Sequence, residues 1–318
     1  MNIFTTWLRT GLLGVTLATA VATAPAPGLA ATPPAQAAYA TADEAVAALV
    51  GALKQNDTAQ LRLVFGPGSD RLIDSGDAVA DSAARARFLA AYAEQHALVA
   101  AAPDRLTLAV GADAWPLPIP LVKTGERWRF DGPAGTRELV DRRIGRNEIA
   151  AISSMLGYVA AQKTYYEMTG KAGQAEYAQR IISRPGKRDG LYWPAEAAQE
   201  PSPLAGFIAA ISAEGYPDDL VSGAPMPVRG YLYRILTAQG PTAPGGAKSY
   251  VAQHHMTGGF ALLAWPARYG ASGIMTFIVD GDGVVFQRDL GPGTGRIVRS
   301  MRRYDPDLRW MRVDITGQ

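Results

Sequence analysis

The side chains best suited to recognising a ligand stand together in one loop that contains Gly and Pro and runs from Arg184 to Trp193. Cationic groups bind acidic partners, and aromatic rings beside them are typical of surfaces that recognise peptides or glycans. An alternative is that the two rings close the edge of a hydrophobic core, while Asp189 pairs with Arg188 or Lys187. We interpret this Arg184 loop as a candidate binding surface, formed by Arg184, Lys187, Arg188, Asp189, Tyr192 and Trp193.

Side chains that bind transition metals are scarce. The chain has no cysteine and only three histidines, His96, His254 and His255. Adjacent histidines on a strand point to opposite faces, so the last two are poorly placed to chelate one ion. The Asp-Gly-Asp-Gly segment 280–283 begins like a calcium loop, but Gly291 stands where that loop needs a bidentate acid. We predict no metal and no cofactor, and we interpret 280–283 as a hairpin turn.

Catalytic patterns are equally scarce. The sequence has no G-x-S-x-G elbow, and the glycine-rich segment 291–295 lacks the Lys-Ser/Thr pair of a phosphate-binding loop. Paired acids that would suit glycoside hydrolysis also occur routinely on helix and loop surfaces. We assign no catalytic residue, and a non-enzymatic role is favoured. The acid pairs considered are Glu138 with Asp141 and Glu167 with Glu176.

The first residues have the order of a secretory signal peptide. Arg9 is the only charge before Asp43, and it precedes an apolar run of about a dozen residues and then a region of small residues. That run is shorter than the roughly 20 residues that span a bilayer, so cleavage is favoured over an anchor. Small-x-small sites end at Ala30 and Ala37. We prefer the second, which gives a leader over 1–37.

Export and charge limit the compartment and the partners. Without cysteine no lipid can be attached at the cleavage site, so we expect a soluble periplasmic or secreted protein that is not a lipoprotein. A net charge of +2 gives no excess of positive charge for nucleic acid. No later stretch is apolar and long enough to span a membrane. The candidate partners are an envelope protein, a peptide or a glycan.

Helices followed by strands predict an α+β domain over 38–143. Thr41 and Glu44 form a capping-box pattern at the start of a helix, and further helices are expected at 58–65 and 80–96. From residue 106 onward the pattern becomes that of antiparallel strands. The strand-turn-strand phrase at 121–130 resembles the hairpin near the end of nuclear transport factor 2-like, cone-shaped domains.

That resemblance implies helices wrapped around a curved sheet with a pocket between them. Trp115, Tyr92 and Phe130 are the aromatic candidates either to line this pocket or to fill it. An open pocket with convergent polar groups and a perturbed acid would favour the rival function, a periplasmic hydrolase or small-ligand enzyme.

A second domain is expected over 144–318. Residues 142–146 are interpreted as a charged connector, and apolar spacing predicts a long helix over 147–168. Four later segments predict an antiparallel sheet of three or four strands, with the helix lying across it. These strand candidates are 230–236, 259–265, 274–279 and 284–287.

Two resemblances accompany this layout. Segments 143–148, 185–194, 233–241 and 273–279 resemble the domain of unknown function 2950 family of bacterial exported proteins, which implies export but no activity. Residues 150–166 are similar to the exposed half of a type IV pilin or pseudopilin helix. A pilin needs an apolar stem directly after its leader, and here a whole domain precedes the helix. We therefore expect a stemless pilin-like head in a non-enzymatic binding or envelope-assembly protein.

Overall fold

Residues 35–194, 200–217 and 226–314 are described in a computed structural model of the chain, so most of the expected leader lies outside the described residues. The helices are α1 Ala42–Lys54, α2 Thr58–Phe65, α3 Asp70–Ile73, α4 Ala78–Glu94, α5 Gly132–Lys171, α6 Ala205–Ala213 and α7 Thr294–Ser300. The strands are β1 His96–Ala102, β2 Arg105–Val110, β3 Trp115–Pro116, β4 Leu121–Thr124, β5 Arg127–Phe130, β6 Tyr231–Leu236, β7 Ala238–Gln239, β8 Lys248–Ser249, β9 Val251–Ala252, β10 His255–Met256, β11 Ala261–Pro266, β12 Met275–Asp280, β13 Val285–Asp289 and β14 Met311–Arg312.

The first three predicted helices are confirmed, with small shifts at α4. Thr41 caps α1 by accepting a hydrogen bond from the Glu44 backbone N–H, and the Glu44 carboxylate accepts one from the Thr41 N–H. Asp57 caps α2, because its carboxylate accepts hydrogen bonds from the backbone N–H groups of Ala59 and Gln60. α4 begins and ends two residues earlier than expected, because Asp77 supplies its N-cap.

An antiparallel sheet in the order β1-β2-β4-β5, with β3 beside β2, forms one layer of the first half of the chain. α1 and α2 pack on it and bury an apolar core that includes Leu49, Leu108, Ile119 and Leu121. Helices on an antiparallel sheet confirm the α+β class.

The expected connector at 142–146 is wrong, because these residues lie within α5. The helix begins fifteen residues before the predicted start at Asn147, and it passes through the domain boundary we placed between residues 143 and 144. Pro133 sits in the first turn, where its missing N–H costs nothing. Gly132 lets that turn press against the chain, since a Cβ there would overlap the Phe65 carbonyl oxygen. Arginines are good helix formers, so the charged run continues the helix.

The second half of the chain contains an antiparallel sheet in the order β14-β13-β12-β11-β6. Its fifth strand, β14, was not predicted, because a two-residue edge strand has no periodicity to detect. Segment 280–283 forms the expected turn between β12 and β13. Met155 and Tyr158 from the second half of α5 are buried in the core beneath this sheet.

The carboxylate of Asp77 links the first and second halves of the chain by hydrogen bonds. Its side chain is 1% exposed, and one carboxylate oxygen accepts the hydrogen bond that caps α4. The other oxygen accepts hydrogen bonds from the Tyr216 hydroxyl at 2.8 Å and from the Gly230 N–H at 2.7 Å. Gly230 has a φ of +80°, and a Cβ there would overlap the Asn147 amide, so only glycine suits this contact.

The segment before α1 is bound to α2 and β5. The Gln36 amide donates hydrogen bonds to the carbonyls of Val64, at 3.0 Å, and Phe130, at 2.6 Å. Three residues later, Tyr39 exchanges backbone hydrogen bonds with Trp128 on β5. No described helix carries an apolar stretch long enough to cross a bilayer.

Replacing Asp77 with Ala should destabilise the whole fold. The change leaves three buried donors without an acceptor, so we expect a loss of about 3 kcal/mol or more in the free energy of unfolding. Urea denaturation measures it. Asp57→Ala is the matched control, because it removes a helix cap alone and should cost about 1 kcal/mol. Equal losses in the two variants would contradict the joining role of Asp77.

The hydrogen bonds of Gln36 distinguish between the two candidate cleavage sites of the expected leader. Cleavage after Ala37 would remove both Gln36 hydrogen bonds, whereas cleavage after Ala30 would keep them. If the chain is exported through the expected leader, we predict that the mature protein begins at Ala31, and the intact mass of protein recovered outside the cytoplasm measures this. A mature chain that begins at Ala38 would contradict the prediction.

Replacing Gln36 with Ala should lower the free energy of unfolding by about 1–2 kcal/mol, because both hydrogen bonds of its amide are lost. Gln55→Ala, at an exposed position, should cause no loss.

Candidate functional site

The aromatic residues of the Arg184 loop belong to the second core. Trp193 is 6% exposed, and Tyr192 is half-buried, exchanging backbone hydrogen bonds with residues 181 and 183. The rings therefore close the edge of a core, as the alternative interpretation described. Of the six candidate residues, only the three cations Arg184, Lys187 and Arg188 are exposed.

Asp189 organises the loop, but its partner is neither Arg188 nor Lys187. Its carboxylate accepts hydrogen bonds from the backbone N–H of Arg184, at 2.9 Å, and from the Arg184 guanidinium, at 2.5 Å. Burial raises the pKa of Asp189, but these hydrogen bonds outweigh that effect, and the net pKa is lowered. Arg188 instead lies over the Trp193 ring, 5.6 Å from its centroid.

A polar concavity of about 470 Å³ adjoins this loop, and Arg184 and Asp189 contribute to its lining. Two histidines also line it, and His255 Nδ1 lies 2.8 Å from the Glu176 carboxylate. The structure thus brings together His254, His255 and part of the loop. The described ranges gather no set of three or more His, Cys, Asp or Glu side chains suited to a metal, and the absence of metal stays a prediction.

A cavity of about 700 Å³ lies in the first half of the chain between α4, α5 and the sheet. We call it the α4 cavity. α4 borders this cavity and packs only in part on the core, because its one buried residue is Asp81. Its apolar side chains against the core are half-buried: Phe88, Leu89, Ala91 and Tyr92. Most of the lining is apolar, and it includes Leu49, Leu61, Phe88, Val110, Trp115 and Ile119.

The three aromatic residues that were candidates to line or to fill the expected pocket lie in different places. Trp115 lines the α4 cavity and is 37% exposed. Phe130 is buried in the core, where its ring meets Phe65 edge to face. Tyr92 stacks on the ring of His96 and is not part of the lining.

Charged side chains occupy one end of the α4 cavity. Along α4 the lining changes from Asp81 and Arg85 in the first turns to Phe88 and Ala91 in the later ones, with Arg87 between. The Asp81 carboxylate accepts a hydrogen bond from the Ser75 N–H. Burial raises the pKa of Asp81, although its bonds to Ser75 and the charges of Arg143 and Arg85 oppose this effect.

Five arginines line the cavity, and they differ in what they bind. Arg143 donates to the carbonyls of Arg71 and Leu72 at the end of α3. Arg85 donates to the Ile73 carbonyl and the Asn56 side chain, and Arg142 pairs with Glu138. Arg87 and Arg146 are exposed and form no ion pair within the described residues. The five are Arg85, Arg87, Arg142, Arg143 and Arg146.

The sequence contained a signal for this site that was missed. Leu139, Arg142, Arg143 and Arg146 are spaced i, i+3, i+4 and i+7, which places them on one face of a helix. The face is visible only if α5 extends back to Gly132. Because 142–146 was interpreted as a connector, the periodicity was not applied to it.

A family model described as protein of unknown function (DUF2950) matches residues 36–313. The chain belongs to this family. The match confirms the resemblance seen in the sequence, and it covers the α4 cavity, the Arg184 loop and Gln36. No curated protein and no solved structure matches the chain. Membership of DUF2950 therefore assigns no activity, and function must be argued from the site.

The raised pKa of Asp81 predicts a dependence of stability on pH. A carboxyl whose pKa is higher in the folded than in the unfolded state stabilises the fold below the unfolded pKa, and this stability is lost as pH rises through the folded pKa. The Asp81→Asn variant has no carboxyl at this position, so it does not lose stability in this way as pH rises. We expect the stability of the wild type relative to the variant to fall as pH rises above about 4, measured by urea denaturation. Asp43→Asn, at an exposed position, is the control. A relative stability that rises over this range would contradict the assignment.

Proposed function

We propose that this DUF2950 member is an exported, non-enzymatic binding protein that holds a small, largely apolar molecule in the α4 cavity. The observation that carries this proposal is the cavity itself, with its volume of about 700 Å³ and its apolar lining. Small-molecule sites have volumes of about 300–1,000 Å³ and combine apolar walls with a few placed polar groups.

The way α4 packs supports this role. The helix is tied at its start by Asp77 and at its end by the Gly111 N–H, which donates to the Ala91 carbonyl at 3.0 Å. Phe88 and Ala91 pack against the core and line the cavity, but both are only half-buried. Apolar side chains on a fixed helix that stay partly exposed are available to contact a ligand.

An enzymatic role for the same cavity is the second candidate. The observation in its favour is Asp81, a buried acid with a raised pKa at the cavity wall. Such groups gather at functional sites, but structural ion networks perturb pKa values too. The described lining contains no histidine, serine, threonine, tyrosine or lysine that would serve as nucleophile or second proton-transfer group. A binding role fits this lining better.

The finer fold assignments belong to the same proposal. A cavity between helices and an antiparallel sheet supports the cone-shaped, nuclear transport factor 2-like domain. The second half of α5 on a five-stranded sheet supports the pilin-like head. The first half of α5 packs against the first domain through Gly132, so it is not an exposed polymerisation stem.

Location and partners complete the proposal. The leader pattern places the protein in the periplasm or outside the cell. The exposed cations of the Arg184 loop offer a second surface, to which an acidic group of an envelope protein, a peptide or a glycan would bind.

Binding in the α4 cavity is tested with Nile red, a neutral dye whose fluorescence rises in apolar surroundings. The mature protein should bind it, and Ala84→Trp should weaken binding about tenfold or more, because the indole occupies the cavity that Ala84 lines. Fluorescence titration measures both affinities.

Ala90→Trp is the matched control. Ala90 lies on the same helix and is exposed, but it does not line the cavity. Equal weakening in both variants, or a wild-type protein that does not bind the dye, would contradict the proposal.

A further inference from the structure

The α4 cavity is polar at one end and apolar at the other. On α4 the lining passes from Asp81 and Arg85 to Phe88 and Ala91. Asp81 is close enough to Arg143 on α5 and to Arg85 for their charges to affect its pKa, so both helices bring charge to the same end. A ligand that fills the cavity must satisfy two different environments.

The charged end has a surplus of positive charge. Five arginines line the cavity, against the single acidic side chain of Asp81 in the lining. Outside the lining, Asp74 also lies close enough for its charge to act on Arg143. Arg142 is partly compensated by Glu138, which lies one turn earlier on α5. The uncompensated cations favour an anion at this end.

Two properties of these arginines suit an anionic group. Arg143 is held in place by the carbonyls of Arg71, Leu72 and Ala271, and a guanidinium has five N–H donors, so donors remain beyond those three bonds. Arg146 lies about one turn further along α5, exposed and without an ion pair among the described residues. Arg143 is therefore held in position, and Arg146 is free to pair with a ligand.

We propose that the ligand of the α4 cavity is a single-chain amphipathic anion, with its acidic head group bound by Arg143 and Arg146 and its hydrocarbon chain directed toward Phe88 and Trp115. This inference rests on the proposed binding function, because it names the ligand class of the same cavity. A carboxylate and a phosphate head group share the required chemistry, since guanidinium groups bind both.

Competition against Nile red tests the ligand class. Decanoate, decyl phosphate and decan-1-ol have the same chain and differ in the head group. At neutral pH and low salt we expect at least one of the two anions to displace the dye at about a tenfold lower concentration than the alcohol. Raising the salt concentration should weaken the anion but not the alcohol.

The outcomes separate this inference from the function on which it rests. If all three compounds displace the dye equally, or if the alcohol is strongest, the anionic ligand class is overturned while an apolar binding site stands. If Nile red itself does not bind, the proposed function fails first. A preference for only one anion supports the inference and identifies the head group.

Arginine variants locate the head group. Arg146→Gln should weaken the preferred anion about tenfold. It should weaken decan-1-ol and Nile red much less, because neither carries a negative charge that pairs with Arg146. Arg299→Gln changes the net charge equally at an exposed position that is not part of the lining, and it should change none of the three affinities. If the two variants weaken the anion equally, long-range charge explains the preference and the assigned head-group site is wrong.

Discussion

The buried carboxylate of Asp77 is the contact on which the arrangement of this molecule depends. It caps α4 and also accepts hydrogen bonds from Tyr216 and Gly230, so the start of α4 is fixed to residues about 140 positions further along the chain. Tyr216 extends the network, because its hydroxyl oxygen accepts the Arg229 N–H at 2.7 Å. Burial raises the pKa of Tyr216, with the Asp77 bond adding to the effect, and keeps the phenol protonated as a donor. A buried carboxylate is tolerated only when such donors replace water.

α5 is the second feature that links the two halves of the chain. Its first half lies against the first domain, its arginines line the α4 cavity, and its second half enters the core of the second sheet. At its centre the Asn147 amide donates to the Ser272 carbonyl, and the Glu148 carboxylate accepts the N–H groups of Ile274 and Met275. The two halves therefore share one helix instead of meeting at a linker.

Local signals in the sequence predicted what local interactions determine. α1 and α2 follow from their caps and apolar spacing, and the turn at 280–283 follows from its Asp-Gly pairs. The start of α5 was wrong because close packing of Gly132 on Phe65 decides it, and no local pattern shows a contact between residues so far apart in sequence. The partners of Asp77 were hidden for the same reason. The Arg184 loop was interpreted as a candidate binding surface, with rings that close a core as the alternative. The sequence alone could not decide between them, because burial of Trp193 depends on the second core.

A pocket in this part of the chain was expected from the resemblance, with Trp115 as a candidate to line it, but the way α4 is held could not be predicted. A helix normally secures its place by burying an apolar face, but the only buried residue of α4 is Asp81. Position is secured instead by polar ties, Asp77 at the first turn and the Gly111 N–H near the last. Such ties hold the helix without requiring its middle turns to fill the core. Phe88 and Ala91 can then face a cavity, and the cost of leaving them half-buried is offset by hydrogen bonds elsewhere. An apolar molecule that binds there would contact both α4 and the sheet, and it would stabilise the fold through the same helix that Asp77 anchors.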